Sequence, residues 1–319
     1  MSTYYLEFEK PIQEIDEEIH ELRSVDTVSQ DIKDKIVTLE SKRIDLMKKI
    51  FSNLNRWQKV QVARHPDRPY TLDYIHHWTD DFFELHGDRY FGDDPSLVTG
   101  LGTVHGQTIM FIGQQKGRNT NENLYRNFGM MRPEGYRKAL RVMKLAEKFT
   151  VPVVSLLDTP GAYPGLGAEE RGQGEAIARN LLEMAKLKVP IVTVVIGEGA
   201  SGGALGIGIC DRMFMLENTW YSVISPEGCA SILYRDAKKA EEAAEALKPT
   251  PKDLVEMGIC DRIITEPNGG AHRDFEASAN ELKTALLEEL DQLSKIEPDD
   301  FLDNRIQKYD KLGYFQESA

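Results

Sequence analysis

Two short apolar segments of similar sequence, each followed by a glycine-rich segment, constrain the fold of this chain more than any other feature. They are Val-Pro-Val-Val-Ser-Leu-Leu at 151–157 and Val-Pro-Ile-Val-Thr-Val-Val at 189–195, and they begin 38 residues apart. A run of apolar residues without polar alternation is typical of a strand that is buried on both faces of a parallel sheet. The repeat therefore predicts an α/β protein whose two glycine-rich segments lie together at the carboxyl ends of neighbouring strands.

Apolar periodicity predicts the elements around these two strands. A period of two or a continuous apolar run indicates a strand, and a period of 3.6 residues indicates a helix. The predicted elements are a β-hairpin of strands 97–104 and 108–112 with its turn at Gly106-Gln107, and helices over 134–149, 169–187 and 275–293.

The same patterns divide the chain into three parts. Two amphipathic stretches predict a helical hairpin with its turn near residues 24–30, so that residues 1–63 would form an N-terminal arm. A turn-rich stretch, Arg64-His-Pro-Asp-Arg-Pro-Tyr70, would begin a main domain of residues 64–298, and residues 299–319 would form a polar tail. The arm either packs on the main domain as a solvated element or docks a partner.

Charge and cysteine content exclude several classes of protein. The formal net charge is −13, which argues against general binding to nucleic acids. The three cysteines, Cys210, Cys229 and Cys260, form no C-x-x-C pair, so neither a disulfide framework nor a four-cysteine zinc site is expected. The N-terminus is too acidic for a signal peptide, and the longest apolar run, 189–196, is too short to span a bilayer. We therefore predict a cytoplasmic protein that does not associate with membranes.

The glycine-rich segment at 197–204, Gly-Glu-Gly-Ala-Ser-Gly-Gly-Ala, is the strongest candidate for a site of chemistry. It would connect a buried strand to a helix, and free N–H groups at the first turn of a helix favour negative charge. We expect the amides of Gly202 and Gly203 to form an oxyanion hole. Gly199, Ala200 and Ser201 would then contact the substrate. The alternative role is tight packing of helix on strand.

A second interpretation of this segment is a serine hydrolase. Residues 199–203 match G-x-S-x-G with Ser201 as nucleophile, and this chain order requires a later histidine, for which His272 is the candidate. The pattern is short and leaves the other glycine-rich segment without a role.

That other segment, Asp158-Thr-Pro-Gly-Ala-Tyr-Pro-Gly-Leu-Gly167, predicts a stiff wall of small residues. We expect Gly161, Ala162 and Tyr163 to line the path of a flat ring or a thin acyl chain. The alternative is an irregular crossover loop. The segment is not a Walker loop.

A cluster of basic residues between 116 and 141 stands out in this acidic chain. Lys116 and Arg118 follow the end of a predicted strand and are the candidates for contact with phosphate or carboxylate, whereas Arg137 and Arg141 lie four residues apart on a helix and could belong to a solvated face. The seven histidines are dispersed, so no metal site is predicted. No acid/base pair stands out either, which favours catalysis by backbone donors with the proton accepted by substrate or cofactor.

Besides the two glycine-rich segments, several long motifs occur in one order: Arg64-His-Pro-Asp-Arg-Pro-Tyr-Thr-Leu-Asp-Tyr74, Glu84-Leu-His-Gly-Asp-Arg89, Gly113-Gln-Gln-Lys-Gly-Arg118, Asn127-Phe-Gly-Met130, Pro133-Glu-Gly-Tyr-Arg-Lys-Ala-Leu-Arg141, Ala168-Glu-Glu-Arg-Gly-Gln173, Tyr221-Ser-Val-Ile-Ser-Pro-Glu-Gly-Cys-Ala-Ser231 and Pro267-Asn-Gly-Gly-Ala-His272. In these motifs the chain resembles the carboxyltransferase α subunits of bacterial acetyl-CoA carboxylase, and the resemblance runs from Phe8 to about Arg273.

The resemblance implies a crotonase-like superhelix of ββα units with an N-terminal helical hairpin. It implies transfer of the carboxyl group from carboxybiotin, on a separate carrier protein, to acetyl-CoA, which gives malonyl-CoA for fatty acid synthesis. The implied partners are a zinc-bearing β subunit in an α2β2 assembly, the biotin carboxyl carrier protein, and a biotin carboxylase that uses ATP.

The resemblance also implies roles for particular residues. The Gly202 and Gly203 amides would hold the biotin carbonyl, and an equivalent pair on the β subunit would hold the thioester oxygen. Ala200 stands where the family often has glycine, so φ should be negative there, and we expect the conformational freedom of the turn to come from Gly199, Gly202 and Gly203. Two alternative functions remain open for the chain. One is a self-sufficient acyl-CoA hydratase or isomerase that uses Glu169 or Glu170, and the other is a non-catalytic scaffold.

Overall fold

The computed structural model describes residues 4–25 and 29–313, and within these ranges the chain forms one mixed sheet with helices on both faces. The sheet order is β1-β2-β3-β4-β5-β6-β8, and β7 pairs with the end of β5. The strands are β1 (Phe83–Glu84), β2 (Leu97–Val104), β3 (Gln107–Gln114), β4 (Val153–Thr159), β5 (Ile191–Ala200), β6 (Arg212–Leu216), β7 (Trp220–Ser222) and β8 (Arg262–Ile264). Strands β1 to β3 pair antiparallel, and all later pairings are parallel.

The α-helices of the described residues are α1 (Lys10–Arg23), α2 (Gln30–Phe51), α3 (Arg56–Ala63), α4 (Thr71–Trp78), α5 (Thr120–Tyr125), α6 (Pro133–Lys148), α7 (Leu166–Glu170), α8 (Gln173–Ala185), α9 (Ser201–Leu205), α10 (Pro226–Leu233), α11 (Ala240–Leu247), α12 (Pro251–Glu256), α13 (Phe275–Leu293) and α14 (Asp300–Asp310). The helices α5 to α12 lie between parallel strands, as crossovers in one sheet require, whereas α1 to α4 precede the sheet and α13 and α14 follow it. In the described part of the chain, no helix is both long enough and apolar enough to cross a bilayer.

The core is divided by the sheet into two layers. Along β4, Val153 and Leu157 pack with residues of α6 and α8, whereas Val154 and Leu156 pack with residues of α4 and α13. Every residue of β4 and β5 is buried. This burial on both faces explains why the two strands lack polar alternation and confirms the prediction drawn from their sequences.

Two local expectations were wrong. The β-hairpin turns at His105-Gly106 rather than at Gly106-Gln107, since both residues have positive φ, 47° and 81°, as a type I′ turn requires. The helix expected over 169–187 is two helices, α7 and α8, because Gly172 between them is left-handed with φ 82°.

The first part of the N-terminal arm is a hairpin of α1 and α2 that packs through Ile15, Ile19 and Leu39. Part of its predicted turn, residues 26–28, lies outside the described residues. The helix α3 belongs to the same predicted arm, yet its Val60 packs with Trp220 of the main body. Sequence alone did not anticipate this contact.

Part of the predicted polar tail is helical. Helix α14 buries Phe301 and Arg305, and the Arg305 guanidinium donates to both carboxylate oxygens of Asp211 at 2.8 Å. Residues 314–319 of the predicted tail lie outside the described residues. The boundaries at 63/64 and 298/299 remain predictions, with packing contacts that cross each of them.

Candidate functional site

The two glycine-rich segments touch at the carboxyl ends of β4 and β5, as their sequences predicted. A β-carbon at Gly203 would lie 2.4 Å from the carbonyl carbon of Gly161 and 2.7 Å from the nitrogen of Ala162. No side chain fits at such distances from backbone atoms. Gly203 therefore allows the start of α9 to pack directly on the backbone of the neighbouring segment.

The backbone turn into α9 is made by a residue other than the glycines. Ser201 has φ 56°, whereas Gly199, Gly202 and Gly203 are outside the left-handed region. The expectation that these glycines supply the conformational freedom was therefore wrong, and space is the reason for at least two of them: a β-carbon at Gly199 would lie 2.6 Å from the Tyr221 ring. Ala200 has φ −106°, the negative value that an alanine needs there.

The N-terminus of α9 is formed by backbone groups alone. Among residues 4–25 and 29–313 no side chain caps this helix, and Gly202 is partly exposed while Gly203 is buried. The first N–H groups of a helix have no intrahelical acceptor, so they can serve an anionic oxygen of a ligand.

The segment 158–167 is held in place by neighbouring side chains and backbone. The Tyr163 amide donates to the Met131 carbonyl at 3.2 Å, and Gln173 Nε2 donates to the carbonyls of both residues at 2.8 and 2.9 Å. The Arg132 guanidinium lies over the Tyr163 ring, 5.0 Å from its centroid. These contacts make the segment a rigid wall, consistent with the expectation from its composition.

Below the two segments lies a buried cluster of charged side chains. Lys116 Nζ lies 2.6 Å from Asp158 Oδ1 and 2.8 Å from Glu198 Oε2. Arg64 binds the other oxygen of Glu198 at 2.6 Å and also pairs with Glu227. Asp158 and Glu198 lie at the start of the two glycine-rich segments, so the cluster fixes the position at which each segment begins.

The cluster separates the proton affinities of its two central carboxyl groups. Burial alone would raise the pKa of Glu198, but the Lys116 and Arg64 cations lower it below its ordinary value. Burial raises the pKa of Asp158, and the charge of Glu198 adds to that rise while Lys116 opposes it. Burial would lower the pKa of Lys116, yet the two carboxylates raise it, so the lysine is a fixed cation rather than a base.

A cleft of about 300 Å³ opens above this cluster. Its lining combines charged groups with aromatic and small residues: Ala63, Arg64, His65, Tyr70, Lys116, Asn123, Phe128, Pro160 and Glu198. Sequence reasoning selected only Lys116 of this set. Arg64 and Tyr70 were treated as part of a boundary loop, although the motif that contains them was among the longest of the resemblance.

The two basic residues expected to contact a ligand differ in their surroundings. Lys116 lines the cleft, but two carboxylates neutralise its charge. The Arg118 guanidinium pairs with Asp73, donates to the Arg68 carbonyl at 2.8 Å and lies 4.1 Å from the centroid of the Tyr70 ring. It is not among the residues that line the cleft.

An aromatic residue beside the cleft was also missed. Phe128 has φ 55° between Asn127 at 48° and Gly129 at 76°, three consecutive left-handed residues. Phe128 is 45% exposed although it lines the cleft. Strained backbone is common at functional sites. The sequence gives no sign that Asn127 and Phe128, neither of which is glycine, adopt positive φ.

One group of described residues, Glu9, His65 and His272, offers three atoms that a metal could bind, all within 4.8 Å of one another. The two imidazole rings are stacked with centroids 3.9 Å apart and planes 17° from parallel, so their in-plane lone pairs do not converge on one point. Glu9 is already paired with Arg273 at 2.6 Å. The arrangement therefore does not fit a metal ion.

The geometry gives no support to the two alternative enzymes. His272 stacks on His65, and no hydrogen bond joins it to Ser201 within the part of the chain that is described. Glu169 and Glu170 are exposed on α7, and neither lines the cleft described above.

The chain is similar to known proteins over nearly its full length. The family model described as acetyl co-enzyme A carboxylase carboxyltransferase-like matches residues 5–313. Relatives named acetyl-coenzyme A carboxylase carboxyl transferase subunit alpha include those of Chlorobium phaeobacteroides strain BS1, 56% identical over 98% of both chains, and Geobacter metallireducens, 55% identical over 99% of both chains.

Solved structures share its fold at lower sequence identity. Transcarboxylase 12S with methylmalonyl-coenzyme A and methylmalonic acid bound has a TM-score of 0.54 and 24% identity, over 68% of this chain and 42% of that one. A Pseudomonas malonate decarboxylase hetero-tetramer in complex with coenzyme A has a TM-score of 0.58 and 17% identity, over 75% of this chain and 93% of that one. These neighbours have the crotonase-like fold, which confirms the predicted fold class.

Proposed function

The chain belongs to the family of acetyl-CoA carboxylase carboxyltransferase α subunits, and from that membership we propose that it transfers a carboxyl group from carboxybiotin to acetyl-CoA, giving malonyl-CoA for fatty acid synthesis. The observation that carries this proposal is the 56% identity to a curated α subunit over 98% of both chains. The chain is thus an enzyme component of the transferase class.

An α subunit works with a partner β subunit in a biotin-dependent complex. In the proposal that assembly is α2β2, its carboxybiotin arrives on a separate carrier protein, and a biotin carboxylase consumes the ATP. The proposal assigns zinc to the β subunit, and among the described residues no cysteine belongs to a group that could hold a metal ion. The cytoplasmic location remains a prediction from the sequence.

The amides of Gly202 and Gly203 are the proposed catalytic groups. In the transfer, a C–C bond forms between the acetyl methyl carbon and the carboxyl carbon, the C–N bond to biotin breaks, and the methyl proton goes to the ureido nitrogen. Negative charge therefore develops on the ureido oxygen, and backbone N–H groups fixed at the start of α9 would stabilise it. An equivalent pair on the β subunit would stabilise the enolate oxygen of the thioester.

The remaining site residues would position the ligands. Gly161, Ala162 and Tyr163 supply the rigid wall beside Gly202 and Gly203. Gly199 and Ala200 supply the strand end, and Ser201 makes the turn into α9. The cleft above Lys116 has aromatic walls at Tyr70 and Phe128 and a volume of about 300 Å³, enough for a small ligand, and Gly202 and Gly203 are not among its lining residues. Arg118 would act through Tyr70, whose ring it covers.

The test is the reverse reaction, from malonyl-CoA and a free biotin derivative to acetyl-CoA. The chain would be assayed alone and after purification with its cognate β subunit. We expect activity only with the β subunit, because each chain supplies one oxyanion-binding pair. Activity of the chain alone would refute the shared site, and a stable complex without activity would refute the proposed function.

A further inference from the structure

One fully buried amide side chain joins the two glycine-rich segments. Gln114, the last residue of β3, donates from Nε2 to the Gly203 carbonyl at 2.8 Å and accepts at Oε1 from the Asp158 N–H at 3.0 Å. It is 0% exposed, so it does not reach a substrate. Neither sequence analysis nor family membership gave it a role.

The hydrogen bonds determine the orientation of this amide. A carbonyl oxygen can only accept and a backbone N–H can only donate, so only one orientation of the amide satisfies both partners. The Thr71 hydroxyl donates to the Gln114 carbonyl at 2.6 Å and thereby holds the end of β3 against α4. Hydrogen bonds therefore fix both the side-chain amide of Gln114 and the backbone that carries it.

Gln114 binds Gly203 in one glycine-rich segment and Asp158 in the other, and each position determines how its segment is placed. Gly203 is a glycine with a wide range of allowed ψ, and a hydrogen bond to its carbonyl narrows that range. Asp158 begins the segment whose Gly161 backbone lies against Gly203. The segments are thus held twice, by direct backbone contact and by the Gln114 bridge.

We infer that Gln114 is a positioning residue for the carboxyl transfer: by bridging Gly203 and Asp158 it keeps the Gly202-Gly203 amides aimed at the ureido oxygen. This inference rests on the proposed function for its effect on rate. A displacement of about 1 Å in a catalytic group can cost on the order of 100-fold in rate. The side chain acts through Gly203 and makes no contact with the reacting atoms.

The neighbouring residue provides a matched control. Gln115 also makes one accepting and one donating hydrogen bond, from the Leu72 N–H at 2.9 Å and to the Lys116 carbonyl at 2.8 Å, but neither involves a glycine-rich segment. Gln114→Met and Gln115→Met therefore remove the same number and kind of hydrogen bonds with the same change in shape.

The experiment compares both variants with wild type, each purified in complex with the β subunit. We expect Gln114→Met to lower kcat about 100-fold with little change in KM, and Gln115→Met to leave kcat within about threefold of wild type. Hydrogen exchange of the amides in 158–163 and 199–206 should become about tenfold faster in Gln114→Met only. Unchanged kcat in Gln114→Met, or equal losses in both variants, would overturn the inference.

A third variant adds a pH readout. In Gln114→Glu, a neutral carboxyl group can both donate to the Gly203 oxygen and accept from Asp158, whereas the carboxylate has no proton to donate. The charged groups that form the cluster at this end of the sheet are Asp158, Glu198, Glu227, Lys116 and Arg64, and burial raises the pKa of an introduced carboxyl. The ratio of kcat in Gln114→Glu to kcat in wild type should rise as pH falls. A ratio that does not change with pH would contradict the role of the Gln114 bridge.

The exchange measurement separates the two proposals. A wild-type complex that transfers no carboxyl group would refute the proposed function. The comparison of exchange rates would still decide whether Gln114 links the two segments, since it needs no turnover.

Discussion

Two cations of low exposure, the Lys116 side chain at 13% and the Arg305 side chain at 1%, stabilise this molecule in different ways. At the site, Lys116 binds two carboxylates that lie at the base of the glycine-rich segments. At the opposite part of the chain, Arg305 of α14 binds a single carboxylate, Asp211, and fills its other donors with backbone carbonyls such as Val189 at 2.7 Å. The first cation fixes the positions at which the two glycine-rich segments begin, and the second holds a terminal helix on the body. We therefore expect disruption of the first to alter catalysis and disruption of the second to alter stability.

The largest effect should come from the direct backbone contact at the site. Gly203→Ala places a β-carbon 2.4 Å from a backbone carbon of Gly161, so the segments must separate and transfer should fall by about 1,000-fold. Gly174→Ala is the matched control, because it makes the same change in the first turn of α8 with no atom within 4 Å. The measurement is reverse transfer by the complex with β. Full activity in Gly203→Ala would contradict the close contact.

The second cation should show its effect in unfolding. Arg305→Met leaves Asp211 buried without a cation, and losing one partner of such a pair costs about 3–5 kcal/mol. We expect that loss in urea unfolding, with kcat of the folded complex unchanged. Lys311→Met, at the exposed end of α14, is the control and should change stability by less than about 0.5 kcal/mol. A fall in kcat after Arg305→Met would erase the distinction between the two regions.

Removal of the Lys116 cation should lower kcat. Lys116→Met leaves Asp158 and Glu198 buried beside each other, and their repulsion should displace both segments and lower kcat about 100-fold. Lys138→Met removes a lysine of α6 that is more deeply buried, with 0% of its side chain exposed against 13% for Lys116, and that binds Asp93 at 2.6 Å. That control should lose stability but keep its kcat. Similar kcat losses in the two variants would mean that burial of the charge, rather than its place, decides the effect.

The smallest effect is a dependence of stability on pH. The pKa of Glu198 in the folded chain is below its ordinary value, so its contribution to stability is complete above that ordinary value and is lost as pH falls through the folded pKa. The difference in unfolding free energy between wild type and Glu198→Gln should therefore be greatest near neutral pH and shrink below about pH 4.5. A difference that stays constant from pH 7 to pH 3 would show that the carboxylate is not stabilised by Lys116 and Arg64.

The apolar patterns of the sequence were sufficient to predict the central strands and their parallel arrangement. The strands β4 and β5 were predicted because continuous apolar runs have few other uses, and their position in a parallel sheet brought the two glycine-rich segments together. The resemblance identified the crotonase-like fold. The turn at His105-Gly106 and the break at Gly172 were missed because each depends on the φ of single residues, which apolar periodicity does not encode.

The charged cluster could not be predicted in the same way. Arg64, Lys116 and Glu198 are far apart in sequence, and only the tertiary structure shows that they share hydrogen bonds. Lys116 was selected for its position after a strand, but its role as a binder of carboxylates within the chain was not apparent. Gln114 was overlooked because an amide next to a lysine and an arginine gives no charge signal.

The packing of α3 has a practical consequence for cutting the chain. Val60 and Ala63 pack with Ala200 and Trp220, and Arg56 binds Asp253 at 2.9 Å. A fragment that starts at residue 64 would uncover the end of β5 and remove one wall of the cleft, whereas a fragment that starts ahead of α3 would keep both. Detaching the hairpin of α1 and α2 together with the residues before it would keep α3, but it would break the ion pair of Glu9 with Arg273 and remove the Phe51 ring from Gly269, so such a fragment should expose surface that is buried in the full chain.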